Sequence, residues 1–192
     1  MYASFIKRIL DLFISFFLLL FLSPFLLATA LVLGFHFRAN PFFTQKRIGL
    51  LDTTFLIIKF KTMRDIDDVD PDKDRSTTLG RWLRLTRWDE TPQLWNILKG
   101  EMSLIGPRPL LPEYLPLYAP NVRNRHLIKP GIMGLAQLYG ASALSWNRRF
   151  KLDLIYVDRI SFLLDLWILF RSIAFLLRNE TENNIGPYTG PE

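Results

Sequence analysis

The feature that most limits what this chain can become is a long run without charge. Between Asp11 and Arg38 there is no Asp, Glu, Lys or Arg, and Leu12 to Phe35 is almost wholly Leu, Phe, Ile, Val and Ala. Three placements are open to such a run. A secretory leader would use Lys7 and Arg8 as its basic start and Ala28-Thr29-Ala30 as its cleavage site. Against this, the run is too long for a leader and continues past that site as Leu31-Val32-Leu33. A spanning helix is permitted by a length of roughly 24 residues. Ser23-Pro24 falls in its middle, however, where proline removes a backbone hydrogen bond and kinks a helix. The third placement is a re-entrant hairpin that enters to mid-depth, breaks at Ser23-Pro24 and returns on the same side. Each half would be about 11–13 residues, roughly 16–20 Å, too short to span alone. Lys7 and Arg8 precede the run, and Arg38, Lys46 and Arg47 follow it. Positive charge on both flanks is what the positive-inside rule expects when both ends stay cytoplasmic. The residues alone leave the kinked spanning helix and the hairpin both open.

The rest of the 192 residues suffices for one domain with this appendage. A net charge of +6 with 14% aromatic residues suits nucleic acid or an anionic membrane surface. No nucleic-acid motif is present, so membrane lipids are the expected partner. The absence of cysteine excludes disulfides, thiol nucleophiles and thiolate metal sites.

Phe43 to Met63 reads as a small β-hairpin turning at Asp52-Thr53-Thr54, with Lys59 and Lys61 alternating around Phe60. Arg64 to Arg75 packs six aspartates. Its Asp68-x-Asp70-x-Asp72 spacing fails as a calcium loop, because Lys73 and Leu79 occupy the glycine and glutamate positions. A glycosyltransferase site on this loop is an alternative to a solvated segment. Ser76-Thr77-Thr78 offers a cap for a helix running to about Trp88 with Arg81, Arg84 and Trp88 on one face. Such a face would equally serve headgroup contact.

The chemistry gathers in Arg84 to Pro109, RLTRWDETPQLWNILKGEMSLIGPRP. Asp89 and Glu90 stand between a basic segment and the rigid Gly106-Pro107-Arg108-Pro109 loop. Thr91-Pro92 reads as an N-cap with proline at the first helical position, and Gly100 closes that helix. The pair would then sit outside a helix N-terminus, which favours an ionised carboxylate or a phosphate. Leu110 to Leu144 reads as loops and short helices around a site. His36 and His126 show no metal pattern, and no P-loop, Gly-x-Gly-x-x-Gly or Gly-x-Ser-x-Gly occurs. Ser161 to Asn179 is apolar but interrupted by Asp165 and Arg171, which suits a helix in the interface or packed on the N-terminal hairpin better than a span.

WDETPQLWNILKGEMSLIGPRPLLPEY, followed by RNRHLIKPGIMGLAQLYG, is similar to the bacterial sugar transferases, the small monotopic phosphoglycosyl transferases. The resemblance covers Lys7 to about Leu177. It implies a mostly helical α+β fold: a re-entrant helix-break-helix hairpin at residues 1–40 with its break at Ser23-Pro24, a cytosolic-face catalytic domain at 41–180 with an interfacial C-terminal helix, and a disordered tail at 181–192. It implies transfer of a sugar-1-phosphate from a UDP-sugar to a polyprenyl (undecaprenyl) phosphate at the bacterial inner membrane, releasing UMP and starting a lipid-linked glycan. Asp89 would be the nucleophile and Mg²⁺ ligand, and Glu90 its partner. Arg84, Arg108 and Lys59 would hold phosphate, Pro107 and Pro109 would fix Arg108, and Gln137 lies in a second matching motif. A homodimer is compatible with this reading.

Some positions depart from the family pattern. Arg87-Trp88 replaces the usual Ser-Leu, Thr91 replaces Leu, and Lys61 replaces the arginine of Lys-Phe-Arg, losing a planar fork. Ala141 stands where an arginine is usual, so its phosphate contact would fall to Arg148 or Arg149. The missing arginine is the one feature favouring an alternative, a catalytically idle module that binds anionic lipid or a partner.

Overall fold

The computed structural model describes residues 2–65, 75–140, 144–177 and 188–190. Asp68, Asp70, Asp72 and Ala141 lie outside them. The described chain is mostly helical, with two small sheets. The apolar run forms one helix, α1 (Lys7–Phe37), which follows a π-helical turn at Tyr2–Ile6 and ends where Arg38 turns left-handed.

Where a helix-break-helix was expected, one helical run of 31 residues has Pro24 inside it. The reason is local. Pro24 has no N–H to give to the carbonyl of Leu20, four residues back, and the Ser23 hydroxyl donates to that same carbonyl at 2.8 Å. The orphan acceptor is satisfied and the helix runs on.

One stripe of α1 faces the rest of the protein. Lys7, Asp11, Ser15 and Leu33 are buried, and Leu22, Leu26, Ala30 and Phe37 pack against core clusters at the same helical period. The opposite side exposes Phe13, Phe17, Phe21, Phe25 and Phe35. Polar contacts fasten the first turns: Arg8 donates to the carbonyls of Ile97 and Leu98, and Asp11 accepts from the Leu104 amide. At the far end Leu33 packs with Phe60 and Leu83.

The hairpin forms as the alternation requires. Strands β1 (Phe42–Ile48) and β2 (Thr54–Phe60) pair antiparallel from Phe42↔Phe60 to Ile48↔Thr54. The turn is a 3-10 segment, Leu50–Asp52, in which Leu51 and Asp52 take positive φ. Three helices follow: α2 (Thr78–Leu85), α3 (Gln93–Lys99) and the short α4 (Leu135–Leu138).

The proline- and glycine-rich stretch holds 3-10 turns at Pro112–Leu117 and Pro120–Leu127, but it also supplies a strand. Strands β3 (Ser103–Ile105) and β4 (Gly131–Met133) pair in parallel. The backbones meet closely at Gly131, where a Cβ would lie 2.1 Å from the Gly106 nitrogen. This contact docks the Gly106–Pro109 loop against β4.

Helices α5 (Trp146–Arg159) and α6 (Phe162–Leu177) complete the fold. Asp165, the charge inside the last apolar segment, is buried and fully engaged. It accepts from Lys7 Nζ, the Tyr2 hydroxyl and the Tyr156 hydroxyl, each at 2.6 Å. Pairing with Lys7 is what lets α6 carry a carboxylate, and it ties the first turn of α6 to that of α1. Of residues 181–192 only 188–190 are described; there Tyr188 is buried beside Tyr118, Trp146 and Phe150 and donates to the Leu117 carbonyl.

Candidate active site

The site is built at the junction of α2 and α3. Thr77 caps α2 by accepting from the Gly80 amide at 2.9 Å. The helix stops at Leu85 instead of reaching Trp88, because Thr86 closes it and Arg87 adopts φ 55°. That left-handed residue turns the chain into a single 3-10 turn, Trp88–Glu90. Thr91 is not the N-cap expected of it. It has helical dihedrals, and its hydroxyl donates back to the Trp88 carbonyl at 2.7 Å, closing the dyad's own turn. Gly100 ends α3 at φ 91°, a conformation that suits glycine.

Asp89 and Glu90 are both buried, at 7% and 6% exposure, yet their surroundings differ. Glu90 Oε1 receives Lys59 Nζ at 2.6 Å and Arg108 Nη2 at 3.3 Å, while its Oε2 lies 3.6 Å from Arg87. Burial alone would raise the Glu90 carboxyl, but Arg108, Lys59 and Arg87 outweigh it and hold the group well below the usual carboxylate range. Asp89 is pushed up to about 6, by burial first and then by the negative charge of Glu90. The ionised anchor of the pair is Glu90. Asp89 is the carboxylate whose charge is least settled, which reverses what the expected helix N-terminus suggested.

On one side of Glu90 lies a small cationic pocket lined by Arg47, Lys59, Gln93, Arg108 and Pro109. Two buried donors face it without a hydrogen-bond partner, Arg47 Nε and Gln93 Nε2. Unpaired buried donors are costly, and an oxyanion is the class of ligand that would satisfy them. Burial, then the nearby Arg108 charge, lowers the Arg47 pKa. Neither Arg47 nor Gln93 was singled out from sequence. The hairpin register does carry a signal for Arg47: its partner is Phe55, so Arg47, Phe55, Ile57 and Lys59 share one face.

On the other side Glu90 borders a cavity of about 300 Å³ that is walled mainly by apolar side chains, with Leu18 and Leu22 of α1, Leu94 of α3 and Phe175 of α6 among them. Gln137 lines this cavity, donating to the Ile132 carbonyl at 3.1 Å with its Oε1 unpaired.

Other expected residues separate. Lys59, Arg108 and Pro109 meet at the cationic pocket, and Pro107 stands in the loop behind it, accepting from the Gly131 amide. Arg84 lies on α2 and is not among the cations paired with Glu90; Arg87 is. Arg149 is engaged elsewhere, over the Trp146 ring and with the Leu144 carbonyl. A support missed from sequence is Arg125. Buried at 2% exposure, it donates twice to Asp153 and, through Nη2, to the Arg108 carbonyl at 2.7 Å.

Among the described residues no three His, Cys, Asp or Glu side chains gather as a metal site. Glu90 is occupied by cations, so Asp89 is the carboxylate left to a metal. This fits Mg²⁺ in its mode of one protein carboxylate completed by phosphate oxygens and water.

The buried carboxylate pair is ringed by cations beside one helix, α1, that is long and apolar enough to cross a membrane. The sequence model of the family described as "Bacterial sugar transferase" matches residues 2–179, and the chain belongs to that family; it is a transferase. It is 45% identical to the uncharacterized sugar transferase EpsL of Bacillus subtilis, over 91% of this chain and 89% of that protein. It is 38% identical to the undecaprenyl-phosphate glucose phosphotransferase of Komagataeibacter xylinus, over 87% of this chain and 35% of that longer protein. Against the UDP-glucose:undecaprenyl-phosphate glucose-1-phosphate transferase of Caulobacter vibrioides it is 34% identical, over 91% and 70% of the two chains.

Proposed function

We propose that this transferase moves a sugar-1-phosphate from a UDP-sugar to undecaprenyl phosphate, releasing UMP, and so starts a lipid-linked glycan such as an exopolysaccharide. The observation that carries the reading is the division of labour in the dyad. Glu90 is locked ionised by three cations, while Asp89 beside it is buried and its carboxyl stays raised although the same three cations oppose that shift. The activities named for the relatives support the same chemistry.

The donor diphosphate lies in the cationic pocket, where Arg47 and Gln93 supply their unpaired donors and Lys59 and Arg108 supply charge. A carboxylate oxygen of Asp89 attacks the β-phosphorus. The bond from that phosphorus to the bridging oxygen breaks, its electron pair leaves with UMP, and an aspartyl phosphosugar remains. An oxygen of the acceptor phosphate then attacks the same phosphorus, and the acyl-phosphate bond returns its electrons to Asp89. Glu90 holds the cations in place and positions the acceptor. Mg²⁺, held by Asp89, would supply charge neutralisation for the diphosphate.

The placement is the cytoplasmic face of the cell membrane, with α1 re-entrant or lying in one leaflet. A spanning helix can touch a polar domain with one end only. Here Arg8 and Asp11 bind that domain near one end, and Leu33 packs on Phe60 and Leu83 near the other.

Purified protein given a panel of UDP-sugars should release no more than about one UMP per enzyme without acceptor, and should turn over repeatedly only when polyprenyl phosphate is added. Release of UDP instead would mean glycosyl rather than phosphosugar transfer.

A further inference from the structure

Arg87 is strained and placed apart from the other cations of the site. It holds φ 55°, a conformation uncommon for a residue with a Cβ. Lys59 and Arg108 both reach Glu90 Oε1 from the cationic pocket, whereas Arg87 approaches the other oxygen, Oε2. Arg87 is the one Lys or Arg among the described residues lining the 300 Å³ apolar cavity, and it does not line the cationic pocket. Glu90 lines both.

We propose that Arg87 is the acceptor-phosphate residue, and that the apolar cavity beside it holds the first isoprene units of the polyprenyl chain. This rests on the lipid-phosphate acceptor reading above. An acceptor of this kind is an apolar chain ending in an anion, so it needs an apolar slot with a cation at its polar end. The slot between α1, α6 and the dyad has that form. Its outer wall is the helix whose far side is exposed apolar surface, the route by which a lipid would arrive. A phosphate brought to Glu90 faces an ionised carboxylate, and Arg87 at Oε2 is the cation positioned to offset that repulsion. Trp88 closes the slot on one side, its indole N–H donating to Thr29 of α1 at 3.0 Å. The two substrates thus approach the dyad from opposite sides, donor over Oε1 and acceptor over Oε2.

The test compares farnesyl phosphate with farnesol as probes, titrated against intrinsic fluorescence of the full chain in detergent. Wild type should bind the phosphate at least about tenfold more tightly than the alcohol, the scale of one charge-assisted hydrogen bond. In Arg87→Asn, which removes the charge but tolerates positive φ, that preference should vanish while farnesol affinity is unchanged. A preference kept in Arg87→Asn overturns the proposal, and so does loss of farnesol binding along with it in a variant that retains the wild-type melting temperature. A second arm measures UMP release from the UDP-sugar without acceptor. Arg87→Asn and Lys59→Met each remove one of the three cations on Glu90 and should both slow this release, but only Arg87→Asn should also raise the acceptor KM; an acceptor KM unchanged in Arg87→Asn overturns the assignment. The binding arm needs no turnover, so its outcome is separable from failure of the overall reaction.

Discussion

Lys59 Nζ lies 2.6 Å from Glu90 Oε1, joining the end of β2 to the residue after Asp89, the proposed nucleophile. The pair is shielded, with 18% and 8% of the two side chains exposed. Lys59→Met should leave Glu90 short of one of its three cations and lower kcat/KM by about tenfold to a hundredfold, matching about 1.5–3 kcal/mol for a charge-assisted bond. Lys59→Arg should recover part of it. Steady-state kinetics on the two variants decide this, and equal loss in both would contradict a charge role.

The pH dependence follows from Asp89. Its carboxyl is pushed up to about 6, and in the proposed mechanism only the ionised form attacks. The rate of UMP release in a single turnover should therefore fall below that pH, by about tenfold per unit. Glu90→Gln removes a negative neighbour and leaves Lys59, Arg87 and Arg108 in place, so the acid limb should move to lower pH. A limb that stays put, or moves up, contradicts the electrostatics.

Behind the site, Arg125 and Asp153 form a buried pair at 2.7 Å, and Arg125 also holds the Arg108 carbonyl. Arg125→Met leaves a buried carboxylate uncompensated and should cost about 3–5 kcal/mol. Denaturant unfolding in detergent should show the loss, together with a raised donor KM as the Arg108 loop loosens. Unchanged stability would mean the pair is not closed.

Gly131→Ala should fail to assemble the β3–β4 pair, since the new Cβ would meet the Gly106 backbone nitrogen at 2.1 Å. Limited proteolysis within residues 106–131 should accelerate sharply. A variant as resistant as wild type would rule out the close approach.

The lack of native cysteine makes topology directly measurable. Ala3→Cys and Ala39→Cys flank α1 at exposed positions. Both should react with a membrane-impermeant maleimide from the same, cytoplasmic side in inverted vesicles. Labelling from opposite sides would make α1 a spanning helix.

What sequence reasoning could reach was set by the range of the interactions. The hairpin was legible because alternation and turn residues are local, and so was Gly100, whose left-handed cap ends α3. The two charges in the last apolar segment argued against a span, but the tie from Asp165 to Lys7 joins residues too far apart in sequence to be read from it. Continuity through Pro24 was not, since it depends on the Ser23 hydroxyl replacing one hydrogen bond. The β3–β4 pair was hidden by strands of three residues each, separated by the whole proline-rich stretch. Arg125 and Asp153 meet only through tertiary packing. Thr91 misled because a threonine before Pro92 fits a cap pattern, while the fold spends that hydroxyl on the preceding turn.

The most direct test is the covalent state of Asp89. Protein incubated with its UDP-sugar and no acceptor, then digested and weighed, should show a phosphosugar added to the peptide containing Asp89. The adduct should disappear on adding undecaprenyl phosphate and be absent, with turnover abolished, in Asp89→Asn. Undiminished turnover in Asp89→Asn, or an adduct on any other residue, would contradict the mechanism.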